Sequence, residues 1–228
     1  MPGNRERARF HGLEVVRQPA PQRVRAQVLL HHEVCRAVDL QPRQPGQELI
    51  VETAAGVFCP DRVDMGTAVL LAAAPAPPPV GNLLDLGSGW GPIALSLGLR
   101  SPGATIWAVD VNQRALALAR DNAKTVGIND FHAMTPDEVP ADIRFDAIWS
   151  NPPIRVGKSA LHKMLLTWLP RLEVGGTAYL VVQKNLGADT LQRWLADHLE
   201  AMEPGAFTVA RHTTAKGFRV LAVHRNGH

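Results

Sequence analysis

Three glycines within five residues, Gly87-Ser88-Gly89-Trp90-Gly91, constrain this chain more than any other feature. They follow a short apolar run over residues 82–86 that comes after the proline-rich residues 72–79, and they precede apolar positions that recur at helical spacing over residues 90–99. The pattern predicts a strand, a glycine turn and a helix, with the turn at the carboxyl edge of a sheet. Glycines there permit positive φ and let a ligand come close to the backbone, with amides of the helix start facing it. An ordinary strand-to-helix turn needs one such glycine, not three.

The spacing also narrows the ligand. A dinucleotide site uses Gly-x-Gly-x-x-Gly with a pyrophosphate on the helix start, and the third glycine of that pattern would fall on Pro92. Instead the turn is preceded by Asp85, a carboxylate that disfavours an anionic pyrophosphate and favours a cationic amino group. A second predicted strand over residues 105–109 ends in Asp110, with Asn112 placed to cap a helix over residues 113–126. A carboxylate at that strand end can accept both hydroxyls of an unphosphorylated ribose.

A further buried strand, residues 145–149, is stopped by Ser150-Asn151-Pro152-Pro153, since two prolines fix φ and remove two donors. The Pro152 carbonyl is left as a free acceptor and, with the side-chain oxygen of Asn151, can receive both protons of a planar amino group. Holding those N–H bonds out of plane localises the nitrogen lone pair and aims it, so that catalysis comes from orientation and electrostatics. No strong side-chain base is needed before transfer, because the amine becomes acidic as it is alkylated.

Asp85 to Gly91, Asp110 and Asn151 to Ile154, in this order, resemble the class I methyltransferases that use S-adenosylmethionine. Further segments, Gly56-Val57-Phe58 with Val63-Asp64-Met65-Gly66-Thr67, Ile154-Arg155-Val156-Gly157-Lys158 and Val182-Gln183-Lys184-Asn185-Leu186-Gly187-Ala188, are similar to the group built around the small-subunit ribosomal RNA guanine methyltransferase C type. The likeness covers roughly residues 48–225. It implies an α/β fold with a Rossmann-like, mostly parallel sheet, S-adenosylmethionine as cofactor, and methyl transfer to the exocyclic amine of a guanine in RNA. Asp64, Gly66, Thr67, Asp85, Gly87 and Gly89 would line the methionine end of the cofactor, Asp110 would hold its ribose, and Met134 or Thr135 would contact its adenine. Asn151 and Pro152 would hold the reacting amine, Asn151 also bordering the cofactor. Pro153, Ile154, Arg155, Lys158 and Lys184 would meet the substrate. The chain departs from the family's loop at Ile154, where an aromatic residue would stack on a flat substrate. That lowers the weight of adenine or a protein glutamine as substrate.

A chain of 228 residues with 46% hydrophobic content can bury a full α/β core. No apolar run reaches the ~18 residues of a membrane-spanning helix, and residues 1–10 are arginine-rich without an apolar signal core, so a cytoplasmic protein is expected. Cys35 and Cys59 lack the paired spacing of a zinc site and no metal is implied. The whole chain carries +3, yet residues 1–45 hold eight arginines against four acidic residues, an excess of four positive charges. This segment is expected to be an arm before a methyltransferase domain over residues 46–228, with an amphipathic helix over residues 23–40. It could attract RNA phosphates without reading sequence, or reflect only the chain's general preference for arginine.

Elsewhere the pattern predicts a hairpin or paired strands over residues 48–58, a helix over 67–74, a short strand near Phe131, a helix over 161–169, a strand over 178–182 after a Gly175-Gly176 turn, and a helix over 191–202. Alternation over residues 207–210 and 218–223 predicts a closing antiparallel hairpin turning at Lys216-Gly217. The five tryptophans are expected to pack first, and His31, His32 and His162 to be surface or interface residues. Two other functions stay open at this level: a methyltransferase of a protein glutamine or small molecule, and a non-catalytic methyltransferase-like module that binds RNA. Oligomeric state is not legible.

Overall fold

The computed structural model describes residues 26–30, 34–38, 50–53, 63–153 and 156–227. Its centre is a seven-stranded sheet built from β4 (Val80–Leu86), β5 (Gly103–Val109), β6 (Phe131–Met134), β7 (Phe145–Ser150), β8 (Leu172–Gln183), β9 (Phe207–Ala215) and β10 (Phe218–Arg225), in the order β6-β5-β4-β7-β8-β10-β9. Five strands, β6 to β8 in that order, run parallel, and β10 is antiparallel to both β8 and β9. The sheet therefore has the expected architecture, including the closing hairpin. That hairpin turns through Lys216 and Gly217, both at positive φ (49° and 81°), the backbone twist a two-residue connection between right-twisted strands favours.

Helices cover both faces. On one lie α1 (Met65–Ala73), α2 (Pro92–Arg100) and α3 (Gln113–Thr125), which bury Val69, Leu70, Ile93, Leu97 and Leu116 against Leu83, Ile106 and Trp149. On the other lie α4 (Lys158–Trp168) and α5 (Ala188–Met202), which bury Leu161, Leu165, Leu191, Leu195 and Leu199 against Leu84, Leu86, Ile148 and Leu180. Consecutive strand residues go to opposite layers, Leu83 to the first and Leu84 to the second, because each strand is covered on both sides. Trp90, Trp107, Trp149 and Trp168 are buried packing residues, while half-buried Trp194 stacks on His162 of α4 with ring centroids 3.5 Å apart. No helix among the described residues is long and apolar enough to cross a membrane.

Two expectations need correction. Residues 23–40 do not form one helix: β1 (Ala26–Leu30) and β2 (Val34–Val38) are antiparallel strands of a separate three-stranded sheet. Of the apolar residues Val24, Val28, Leu29, Val34 and Val38, the four valines are β-branched, and the pairs Val24/Val28 and Val34/Val38 are each four positions apart, a spacing that suits one face of a strand as well as a helical stripe. The third strand of that sheet, β3 (Ile50–Thr53), falls within the predicted hairpin or paired strands over residues 48–58 and pairs in parallel with β1, residues 54–58 lying outside the described residues, so a hydrogen-bonded ladder joins the segments on either side of residue 45. Finally, Gly175-Gly176 is no turn. Both lie inside β8, where Gly175 takes φ +83° and a Cβ on Gly176 would come within 3.1 Å of the Phe145 and Asp146 carbonyls. The pairing of β7 with β8 shifts register between Phe145 and Ala147, so the glycines make an irregularity in the ladder that lets the two backbones approach.

A candidate methyl-transfer site at the carboxyl edge of the sheet

β4 is the switch point: chain order runs outward from it through β5 and β6 on one side and through β7 and β8 on the other, and ligands of such sheets lie beyond the strand ends there. The glycine turn leaves β4 and the Asn151-Pro152-Pro153 loop leaves β7. The two strands pair from Leu83 and Ala147 to Asp85 and Trp149, and the buried Ser150 hydroxyl donates to the Leu86 carbonyl at 2.6 Å, tying the two strand ends together. As a result the two motifs face each other: a Cβ on Gly87 would lie 3.5 Å from the Pro153 ring.

The turn's amides are already committed. Gly87 and Ser88 N–H donate to the Val109 carbonyl, Gly89 N–H to Asp110 Oδ2 at 2.8 Å, and Gly91 N–H to the Ser88 carbonyl. The first residue of α2 is Pro92, with no N–H to offer, and the Ala94 amide is taken by Asp85 Oδ2 at 2.9 Å. A helix start so occupied does not offer these donors to a phosphate. Space remains over Gly89, where a Cβ would meet nothing within 4 Å. This donor set fits a nucleoside with a cationic tail better than a dinucleotide.

Asp85 lies beneath the turn and is completely buried. Its Oδ1 has no hydrogen-bond partner among the described residues. Burial pushes the carboxyl up to about 8, opposed by the Ala94 amide and reinforced by the charge of Asp110. Asp110 sits half-buried at the end of β5, its Oδ2 held by Gly89 N–H and its Oδ1 by Asn112 N–H at 2.9 Å. Each of these oxygens keeps a second lone pair, so a fixed carboxylate at this position can still accept ribose hydroxyls. Asn112 caps α3 as expected, accepting from the Arg114 and Ala115 amides.

On the other side of the cleft, α1 begins at its N-cap Asp64, whose Oδ2 accepts from Gly66 N–H at 2.9 Å. The same oxygen accepts from the Asn151 side-chain NH2 at 2.8 Å, and that NH2 also reaches the buried Thr67 hydroxyl at 3.1 Å. A carboxylate can only accept, so the Asn151 nitrogen must face Asp64 and its oxygen must face away. Among the described residues nothing donates to Asn151 Oδ1 or to the buried Pro152 carbonyl. The two acceptors expected for an amine are both unused.

Gly66 is the close-packed point between these groups: a Cβ there would stand 2.9 Å from Asp64 Oδ2 and 3.2 Å from both Asn151 Oδ1 and Phe218 Cε1. Gly66→Ala is expected to stay folded, since up to about 1 kcal/mol of helix propensity gained over glycine offsets part of the crowding against Asp64 and Asn151. It should nonetheless lower methyl transfer by about tenfold or more by displacing Asn151, because misplacing a reacting group by about 1 Å can cost about 10²-fold. Thermal melts beside a radiolabelled-methyl assay check this, and an active variant would refute the crowding.

Other expected residues are arranged less closely. Lys158 is exposed at the first position of α4, and exposed Lys184 follows β8, its amide bonded to the Gly217 carbonyl. Pro153 is exposed. Ile154 and Arg155 lie outside the described residues. Met134 ends β6, its carbonyl accepting from the Asp110 amide, and it also lines a groove of about 340 Å³ with Arg120, Phe131, His132, Ala133 and Glu138. That groove contains none of the glycine turn, Asp110 or Asn151. Two residues escaped the sequence reading. Val111, 83% exposed beside Asp110, offers an apolar surface at the ribose end. Phe218 brings a half-buried ring from β10 to Gly66, a close approach across the chain that no local spacing signals.

A Rossmann-like sheet with this turn, a carboxylate at each of the first two strand ends and a proline-stiffened acceptor loop defines a methyltransferase of the class that takes S-adenosylmethionine. The methyltransferase small domain family matches residues 48–221, and the chain belongs to that family. It is 36% identical over 137 residues to the uncharacterized protein YbxB of Bacillus subtilis, a match that spans 59% of this chain and 68% of that protein. It is 36% identical over 127 residues to the ribosomal RNA small subunit methyltransferase C of Aeromonas hydrophila, spanning 54% of this chain and 36% of that protein. With the same enzyme of Serratia proteamaculans it shares 32% over 179 residues, or 75% of this chain and 51% of that protein. The chain thus matches about half or less of the length of these two enzymes. Among solved structures, the T. thermophilus 16S rRNA N2 G1207 methyltransferase in complex with AdoMet and guanosine superposes with a TM-score of 0.60 at 22% identity, covering 94% of this chain and 53% of that one, a likeness of fold.

Proposed function

We propose that this protein methylates the exocyclic amine of a guanine in small-subunit ribosomal RNA, in the cytoplasm. The observation that carries the proposal is the pair of unused acceptors, Asn151 Oδ1 and the Pro152 carbonyl, on a loop that faces the glycine turn. Two acceptors and no donor select a group with two N–H bonds, and the N2 amine of guanine is such a group. The names of the relatives supply the RNA: two similar enzymes are ribosomal RNA small subunit methyltransferases by name, and the T. thermophilus enzyme is named an N2 methyltransferase of a 16S rRNA guanine.

Gly89, Asp110 and Asp85 would hold S-adenosylmethionine, which would supply an electrophilic methyl. The chain's own part is to hold the amine. Asn151 and Pro152 accept its two hydrogens, which draws the nitrogen out of conjugation and directs its lone pair across the cleft. Once the amine is alkylated its excess proton would pass to solvent. Lys158, Lys184, Arg155 and the arginine-rich residues 1–45 would meet RNA phosphates, so affinity should fall steeply with salt. Mass spectrometry of ribosomal RNA nucleosides from cells with and without the gene tests the assignment. Loss of one N2-methylguanosine from the small subunit is expected, and an unchanged nucleoside profile would refute it.

A further inference from the structure

We infer that Asp64 and Thr67 are the positioning residues that select which end of the Asn151 amide faces the substrate, and that residue 64 thereby dictates what residue 151 can be. The inference deepens the proposed function and rests on it for the identity of the amine. A side-chain amide is nearly symmetric in shape, and its two ends differ only in being acceptor or donor. Turned one way, Asn151 offers an oxygen to an N–H. Turned the other way, it offers an NH2 to a carbonyl and repels an amine.

Asp64 Oδ2 and Thr67 Oγ1 lie 2.8 Å and 3.1 Å from Asn151 Nδ2 and hold it in the first state. A flip would set the amide oxygen against the carboxylate at hydrogen-bond distance with no proton between them. Charge-assisted hydrogen bonds contribute about 1.5–3 kcal/mol, so the flipped state is disfavoured by roughly tenfold or more. Asp64 and Thr67 reach this position because both stand in the first turn of α1, Asp64 as its cap and Thr67 three residues on. Thr67 is 4% exposed and Gly66 between them carries no side chain to block the approach.

The pairing has a consequence for residue 151. Aspartate there keeps an oxygen facing the substrate but sets its other oxygen against Asp64, so Asn151→Asp should lose activity by about 10²-fold. Asp64→Asn combined with Asn151→Asp restores a donor opposite an acceptor, at the expense of the Gly66 N–H bond that the same Asp64 oxygen accepts, and should recover part of that loss, at least about threefold. Asp64→Ser keeps a hydroxyl able to cap α1 but is too short to reach Asn151. It should lower kcat, measured at saturating cofactor and RNA, by about tenfold.

The test uses the full chain, uniformly labelled with nitrogen-15, and an assay of methyl transfer to transcribed small-subunit ribosomal RNA and to subunits reconstituted from it. In the unaltered protein the Asn151 NH2 protons, assigned by their absence from Asn151→Asp, should exchange at least about tenfold more slowly than those of exposed asparagines. Asp64→Ser should abolish that protection while the chain stays folded. Fast exchange of the Asn151 NH2 in the unaltered protein would overturn the inference whatever the substrate is. So would an Asn151→Asp protein as active as the original, or a double variant no more active than Asn151→Asp. Slow exchange with no methyl reaching guanine would instead leave the lock standing and remove the proposed substrate.

Discussion

Asn151→Ala is expected to lower methyl transfer by about 10²–10³-fold while S-adenosylmethionine binds within a few-fold of its original affinity. The size of the effect follows from what is removed. Asn151 Oδ1 is one of the two acceptors assigned to the amine, and an amine held by the Pro152 carbonyl alone can rotate about that single hydrogen bond. Its lone pair then samples orientations in which it remains conjugated with the ring, and the effective concentration of the productive geometry falls. The cofactor's expected anchors, Asp110 with Gly89 and Asp85 with Ala94, make no hydrogen bond to Asn151 and should survive the change. The protein should lose about 1.5–3 kcal/mol of stability and stay folded, because the amide's two bonds to Asp64 and Thr67 vanish while Asp64 still caps α1 through Gly66 N–H. Single-turnover rates with saturating RNA, beside calorimetry with the cofactor, separate the two effects. Equal loss of transfer and of cofactor affinity would show that Asn151 belongs to the cofactor rather than to the substrate.

The parts of the site that were legible in the sequence are those whose chemistry is local. A glycine turn, a cap at Asn112, a carboxylate at a strand end and two prolines each act through neighbours a few residues away, and each stands where its spacing placed it. What spacing could not show is what the sheet brings together across the chain. The bond from Asn151 to Asp64 joins residues 87 positions apart, and Phe218 arrives at Gly66 from the last strand. The same limit explains β1 and β2. Valines at even spacing suit a helix or a strand, and the choice is made by the partner β3, which lies beyond the window in which periodicity is read. Asp85 was recognised as a carboxylate beside the turn, but its depth was not. Only the packing of α2 over β4 shows that it is sealed beneath the glycines rather than set on their lip.

That depth makes Asp85→Asn the second large effect, in two opposed directions. In the unfolded chain the Asp85 carboxyl titrates near 3.8, and burial in the folded protein pushes it up to about 8. Between these values the folded state holds a proton that the unfolded state has released. Folding stability therefore falls as pH rises from about 4 to about 8, and this contribution is flat on either side of that window. Stability falls by about 1.4 kcal/mol for each pH unit inside the window, so the cost at pH 8 is on the order of a few kcal/mol. Asparagine is neutral throughout and can still accept from Ala94 N–H through its oxygen, so the variant should be more stable than the original at pH 8 and gain much less at pH 5. Urea unfolding at both pH values checks the sign. Cofactor binding should move the other way. A cationic amino group near the orphaned Oδ1 favours the ionised carboxyl, so affinity of the unaltered protein should rise with pH up to about 8 and binding below that should release a proton. Without the charge, Asp85→Asn should bind S-adenosylmethionine at least about tenfold more weakly and release no proton, which calorimetry in buffers of different ionisation enthalpy would show. A variant both more stable and equally tight would mean that the buried carboxyl serves the turn alone. A variant more stable and weaker would show that the fold carries a destabilising acid for the sake of its ligand.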